Sequence, residues 1–117
     1  MLRILLGLVV TLWANAASAH AFLDHAMPPV GATLAVSPPI LRLFFTQQIE
    51  PLFSGVEVAT AAGSPVKIGP AAVDPANPAA LLVPLPRLAP GRYRVIWHVV
   101  SVDTHRTEGS YQFTIQP

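Results

Sequence analysis

Apolar and polar side chains alternate along GRYRVIWHVVS, residues 91–101: Tyr93, Val95, Trp97 and Val99 fall to one side, Arg92, Arg94, Ile96, His98 and Val100 to the other. The same period of two runs through SYQFTI, where Tyr111, Phe113 and Ile115 alternate with Gln112 and Thr114. That is the period of a strand with one face buried and one partly wet. Shorter extended segments at 21–25, 40–46, 55–60, 66–68 and 80–84 join 92–101 and 110–115 as predicted strands, about seven in all. Turn residues separate them, among them Pro28-Pro29, Ser37-Pro38-Pro39, Gly63-Ser64-Pro65 and Ala89-Pro90-Gly91. The stretch 69–78 reads as an exposed loop whose alanines contribute little to a core. No helical period is sustained anywhere. The chain holds 13 prolines, all beyond residue 19, and each fixes its own φ, lacks an N–H and drives its predecessor toward extended backbone. The predicted fold is all-β: a small antiparallel Greek-key barrel or sandwich.

The first 19 residues carry a different pattern. Arg3 and the free amine precede an apolar run from Ile4 to Ala14, and Ala17-Ser18-Ala19 supplies the small residues of a cleavage site. The run is short of the roughly 20 residues a membrane span needs, so a cleaved secretory signal is expected, with no membrane insertion of the mature chain. Without a cysteine, no lipid anchor is expected either. Cleavage after Ala19 leaves one domain, residues 20–117, on the far side of the inner membrane. Of seven Lys and Arg, Arg3 leaves with the signal, and the remaining six balance six Asp and Glu. Such a surface offers no electrostatic attraction for nucleic acid or anionic lipid. Zero cysteines remove thiolates as ligands, nucleophiles and redox centres.

Cleavage also makes His20 the first residue, which creates a chelate from its α-amine and ring Nδ1. Both nitrogens release their protons to a metal at modest cost near neutral pH. A second donor pair stands in SVDTHRTEGS, residues 101–110, where Asp103 and His105 are two apart and share one side of an extended chain. Three nitrogens and one carboxylate oxygen without sulfur suit Cu(II), while His and carboxylate also serve zinc. Taken singly, each feature has a plainer reading: a polar residue left at an exposed end for His20, and a turn or capping residue for Asp103.

HAFLDHAMPPVGATL, LRLFF and above all APGRYRVIWHVVSVDTHRTEGSYQFTI resemble the CopC family of periplasmic copper-resistance and copper-carrier proteins. The resemblance spans nearly the whole chain after residue 19. It implies a cupredoxin- or immunoglobulin-like Greek-key fold and one Cu(II) per chain, held by His20 through amine and imidazole, by Asp103 and by His105. It further implies a periplasmic copper carrier or buffer in copper homeostasis and resistance, with an inner-membrane copper permease as partner; separately from the resemblance, a monomer is expected. Some members hold Cu(I) in a methionine-rich loop; the matching TQQIEPLFSGVEV has no methionine and the chain after residue 19 has only Met27, so no Cu(I) site and negligible Cu(I) binding are expected. Gln47 stands where some members place a glutamate near the metal.

His25 could reach the metal only if the N-terminal strand turned back, and otherwise reads as an exposed edge histidine. His98 reads as a solvated strand residue, Trp97 and Tyr111 as core, and Glu108 as a partner of Arg106 or of a ligand histidine. The expected function is non-enzymatic copper binding. Two rival classes are a histidine-brace oxidative copper enzyme and a structural β-module without a metal. Asp103 argues against the first, because an anionic donor stabilises Cu(II) over Cu(I). The convergence of three ligand positions argues against the second.

Overall fold

Tyr93, Val95, Trp97 and Val99 are all buried, and so are Tyr111, Phe113 and Ile115, which places both alternating faces against one core. The structure is a computed structural model, and it describes Gly7 and residues 20–117. The expected signal peptide, residues 1–19, lies outside the described residues apart from Gly7. Among the described residues eight strands form: β1 (Leu23–Met27), β2 (Thr33–Leu34), β3 (Ile40–Phe45), β4 (Gly55–Thr60), β5 (Ala72–Asp74), β6 (Asn77–Pro84), β7 (Gly91–Val100) and β8 (Arg106–Ile115). They lie in two four-stranded sheets, ordered β1-β3-β6-β5 and β2-β8-β7-β4. A single hydrophobic cluster fills the space between them, drawing Leu41, Leu43 and Phe45 from the first sheet and Val95, Trp97, Val99 and Phe113 from the second. Of the two architectures expected, the open sandwich is the one that forms, and the sheets do not close into a barrel.

Eight strands agree with the expected count of about seven, and every strand pairing but one is antiparallel as expected. β2 is two residues long, too short to show a period, and it pairs with β8 in parallel. β5 lies in the stretch read as a loop. It pairs with β6 across Pro75-Ala76, where Asp74 Oδ1 accepts from Ala76 N at 2.9 Å, and its Val73 packs on the core. The side chain of Asp74 thus closes the very turn that made the segment look structureless. The expected strand 66–68 does not form. With Pro65 and Pro70 on either side, only Val66 N reaches the neighbouring Val58 O, at 2.8 Å, although Val66 and Ile68 still pack against the core.

β7 and β8 make the longest ladder, ten residues each, from Gly91 opposite Ile115 to Val100 opposite Arg106. Its lower end is pinned by Tyr93, whose hydroxyl donates to Ala89 O at 2.6 Å, a tyrosine corner of the kind that fixes sandwich connections. Midway, Trp97 faces Gly109, and its indole packs edge-on against Phe45 with centroids 5.3 Å apart. A Cβ at position 109 would stand 2.5 Å from Trp97 Cζ2 and 2.9 Å from Cε2. With Phe45 behind it the indole has nowhere to retreat, so Gly109→Ala is expected to destabilise the fold by about 1–3 kcal/mol through overpacking. Urea denaturation reads this directly, and an unchanged midpoint would mean that the indole is free to move.

Candidate metal centre

The β7–β8 ladder ends at Val100 opposite Arg106, which leaves Ser101 to His105 as a five-residue connection. It is closed by Ser101 N donating to His105 O at 2.9 Å and Thr104 N donating to Ser101 O at 2.8 Å. Thr104 adopts φ 73°, the left-handed region where a β-branched residue is an outlier. Strain of this sort costs on the order of 1–3 kcal/mol and persists where the surroundings over-determine it. Here the determinants are visible. Ser101 is fully buried, its hydroxyl donates to Asp103 Oδ1, and the same oxygen lies 3.2 Å from His105 O. The segment after β3 braces the loop from outside: Val102 N donates to Gln48 O at 3.1 Å and Glu50 N to Val100 O at 2.8 Å.

The outcome is that Asp103 and His105 converge, Oδ2 to Nδ1 at 3.2 Å. The sequence led to the same convergence through an extended chain; the structure reaches it through a tight turn. The Asp103 carboxyl is held below the ordinary carboxylate value, chiefly by the Ser101 hydroxyl, with partial desolvation opposing and His105 adding to the lowering. A depressed carboxylate contributes stability above its unfolded value, and the contribution is lost as pH falls through the depressed one. Asp103 is therefore anionic throughout the neutral and mildly acidic range.

His20 is brought to this loop by two threonines from opposite sheets. Thr46, just after β3, accepts from Phe22 N at 3.0 Å through its hydroxyl, donates that hydroxyl to His20 O at 3.3 Å, and gives its own N–H to Phe22 O at 2.8 Å. Thr107 on β8 donates its hydroxyl to Ala21 O, and Ala21 is fully buried between them. The segment 20–22 is thus clamped across the mouth of the sandwich. Its first side chain meets the loop: the His20 and His105 rings lie 4.4 Å apart, edge to face at 86°. His20 Nδ1 is buried and has no hydrogen-bond partner. A buried nitrogen without a partner is costly unless something else takes its lone pair, which is what a metal does.

His20, Asp103 and His105 are therefore neighbours, as the sequence led one to expect. Among the described residues no three His, Asp or Glu side chains already form a metal-sized cluster. His105 Nδ1 faces Asp103, and in the full chain the backbone nitrogen of His20 is acylated by Ala19 and is no donor until cleavage. The other candidates lie elsewhere. His25 sits on the outer face of the first sheet, stacked on Phe44 at 4.2 Å. Glu108 stands 3.7 Å from Arg106 and is exposed. His98 is half-buried and lies over Gly55, in place of the solvated position expected of it. The residue touching the N-terminal segment is Thr46, one before Gln47. Neither threonine clamp carried any sequence signal, because isolated threonines in and beside strands are ordinary; Ser101 was visible only as the first letter of SVDTHRTEGS.

Comparison with known proteins places these features in context. The family model described as CopC domain matches residues 23–116. Protein YobA of Escherichia coli K12 is 38% identical over 99 residues, spanning 84% of this chain and 80% of that protein. Copper resistance protein C of Xanthomonas campestris pv. juglandis is 33% identical over 117 residues, with 92% of each chain covered. The crystal structure of CopC from Methylosinus trichosporium OB3b superimposes with a TM-score of 0.79 at 35% identity, covering 84% of this chain and 95% of that one. PcoC, a methionine-rich copper resistance protein from Escherichia coli, superimposes with a TM-score of 0.75 at 30% identity, covering 83% and 99%.

Proposed function

The chain belongs to the CopC family, and from that premise we propose that it is a periplasmic Cu(II)-binding protein that carries or buffers one copper ion per molecule. The observation that carries this reading is the meeting of His20 and His105 rings at 4.4 Å beside the anionic Asp103. Copper is cargo here. Signal cleavage after Ala19 frees the α-amine of His20, which chelates together with the ring Nδ1 that the fold leaves buried and unpartnered. An imidazole nitrogen of His105 and the Asp103 carboxylate complete a sulfur-free N and O set of the kind Cu(II) favours. The carboxylate charge offsets part of the ion's own and disfavours reduction to Cu(I). The protein supplies the rest by prepositioning: Thr46 and Thr107 hold the terminus and Ser101 holds the loop, so binding requires little ordering. Release to an inner-membrane copper permease would complete the task.

The test is the pH dependence of a competitive Cu(II) titration. Free amines and imidazoles retain their protons below about pH 8 and about pH 6.5, and each must lose one to ligate. Asp103 is ionised over this whole window, so the nitrogens alone set the slope. Affinity is expected to fall by at least about a hundredfold between pH 8 and pH 5, with protons released as copper binds. An affinity flat over that range would contradict a nitrogen-rich site.

A further inference from the structure

The outer face of the first sheet carries a second group of side chains of metal-ligating type, separate from the His20–His105 mouth. Leu23 pairs with Phe45 and His25 with Phe44, so Asp24 is an extra residue on β1. Successive strand residues ordinarily point to opposite faces, and a one-residue bulge turns two of them to the same side. Asp24 and His25 are accordingly both exposed, with His25 Nδ1 2.6 Å from Asp24 Oδ2. The imidazole also lies flat on the Phe44 ring, centroids 4.2 Å and planes 6° apart. Two contacts hold the ring. An ionised carboxylate can only accept, so Nδ1 carries the proton and Nε2 of the neutral imidazole keeps its lone pair. A carboxylate behind and an open nitrogen in front is the arrangement that orients ligand histidines in metal sites.

Met27 follows two residues later on the same strand and is 52% exposed. Residues two apart on one face lie about 6.5–7 Å apart at Cα, which two long side chains can close. Its thioether is a soft donor that selects monovalent copper over hard divalent ions. Arg42 pairs with Met27 across β1 and β3, and its positive charge opposes a doubly charged ion further. We propose that His25 Nε2 and the Met27 thioether, with Asp24 orienting the imidazole, form a second, solvent-facing site for a soft monovalent ion such as Cu(I). The expectation of no Cu(I) site rested on the methionine-free loop after β3 and on Met27 being the one methionine after residue 19; here that one methionine shares an exposed strand face with His25. The pair does not depend on the Cu(II) reading.

Ag(I), which has the same charge and softness as Cu(I) and does not cycle, is the probe, in chloride-free buffer with protein beginning at His20. Met27 is the one methionine in residues 20–117, so its methyl signal in a proton–carbon NMR spectrum is unique. Ag(I) is expected to shift that methyl and the His25 ring signals together, with saturation at one equivalent for this pair. Met27→Leu and Asp24→Ala are each expected to weaken the His25 response by about tenfold or more, and His25→Gln to abolish the Met27 shift. All three positions are exposed, so the variants keep the fold. His105→Ala leaves the Met27 shift in place, and Met27→Leu leaves Cu(II) affinity in place, so failure of either site is read separately. A Met27 shift without His25, or an unchanged response in Asp24→Ala and Met27→Leu, overturns the proposal.

Discussion

Replacing His105 with alanine is expected to lower Cu(II) affinity by more than about a hundredfold, beyond the 10- to 100-fold that loss of an outer-shell partner costs. The His105 side chain is 55% exposed and sits in a turn whose hydrogen bonds run through backbone and Ser101, so its removal leaves the fold intact. What is lost is the one imidazole that folding brings within 4.4 Å of His20. The remaining terminal chelate has no folded partner except Asp103, and affinity approaches that of an unstructured peptide beginning with histidine. The competitive titration measures it against such a peptide. Equal affinity in the parent and His105→Ala would mean that the loop takes no part, and that the terminus binds copper without help from the fold.

The second large effect falls on stability. Trp97 is 6% exposed, packs edge-on against Phe45, and covers Gly109 on the neighbouring strand. Trp97→Ala opens a cavity between the sheets, and the expected cost is about 3–5 kcal/mol. Trp97→Phe is a different matter. Trp97 Nε1 is buried without a partner, so exchanging indole for phenyl removes no hydrogen bond and relieves an unsatisfied donor. Its cost is expected to be well below that of Trp97→Ala, because the phenyl ring refills much of the space the indole leaves. Urea denaturation of both variants separates the readings; equal large losses would mean that Nε1 has a partner, such as a buried water.

β7 was legible because ten alternating residues leave little ambiguity about period, and residues 110–115 of β8 came out with the faces assigned to them; its first four residues, 106–109, were not foreseen because RTEG carries no apolar alternation. β2 and β5 were not legible either, since strands of two and three residues exist only through their partners and turns, here the parallel pairing with β8 and the Asp74 turn. The site divides in the same way. His20, Asp103 and His105 could be named from residue chemistry and spacing, because donor atoms belong to residue types. What holds them could not. Thr46 and Thr107 act across 26 and 86 residues of sequence, and Thr104 accepts a left-handed backbone that no local rule assigns to threonine. Long-range hydrogen bonds depend on register between sheets, and register is a property of the folded chain.

The central claim is that export processing completes the copper site by exposing an amine at a position the fold has already fixed. The most direct measurement is a competitive Cu(II) titration of protein beginning at His20, beside one carrying a single extra alanine before it. The extra residue leaves both imidazoles and Asp103 in place and moves only the amine. An affinity lower by orders of magnitude in the extended protein is the result expected. Equal affinities would contradict coordination by the terminal amine and remove the reason for the chain to begin at His20.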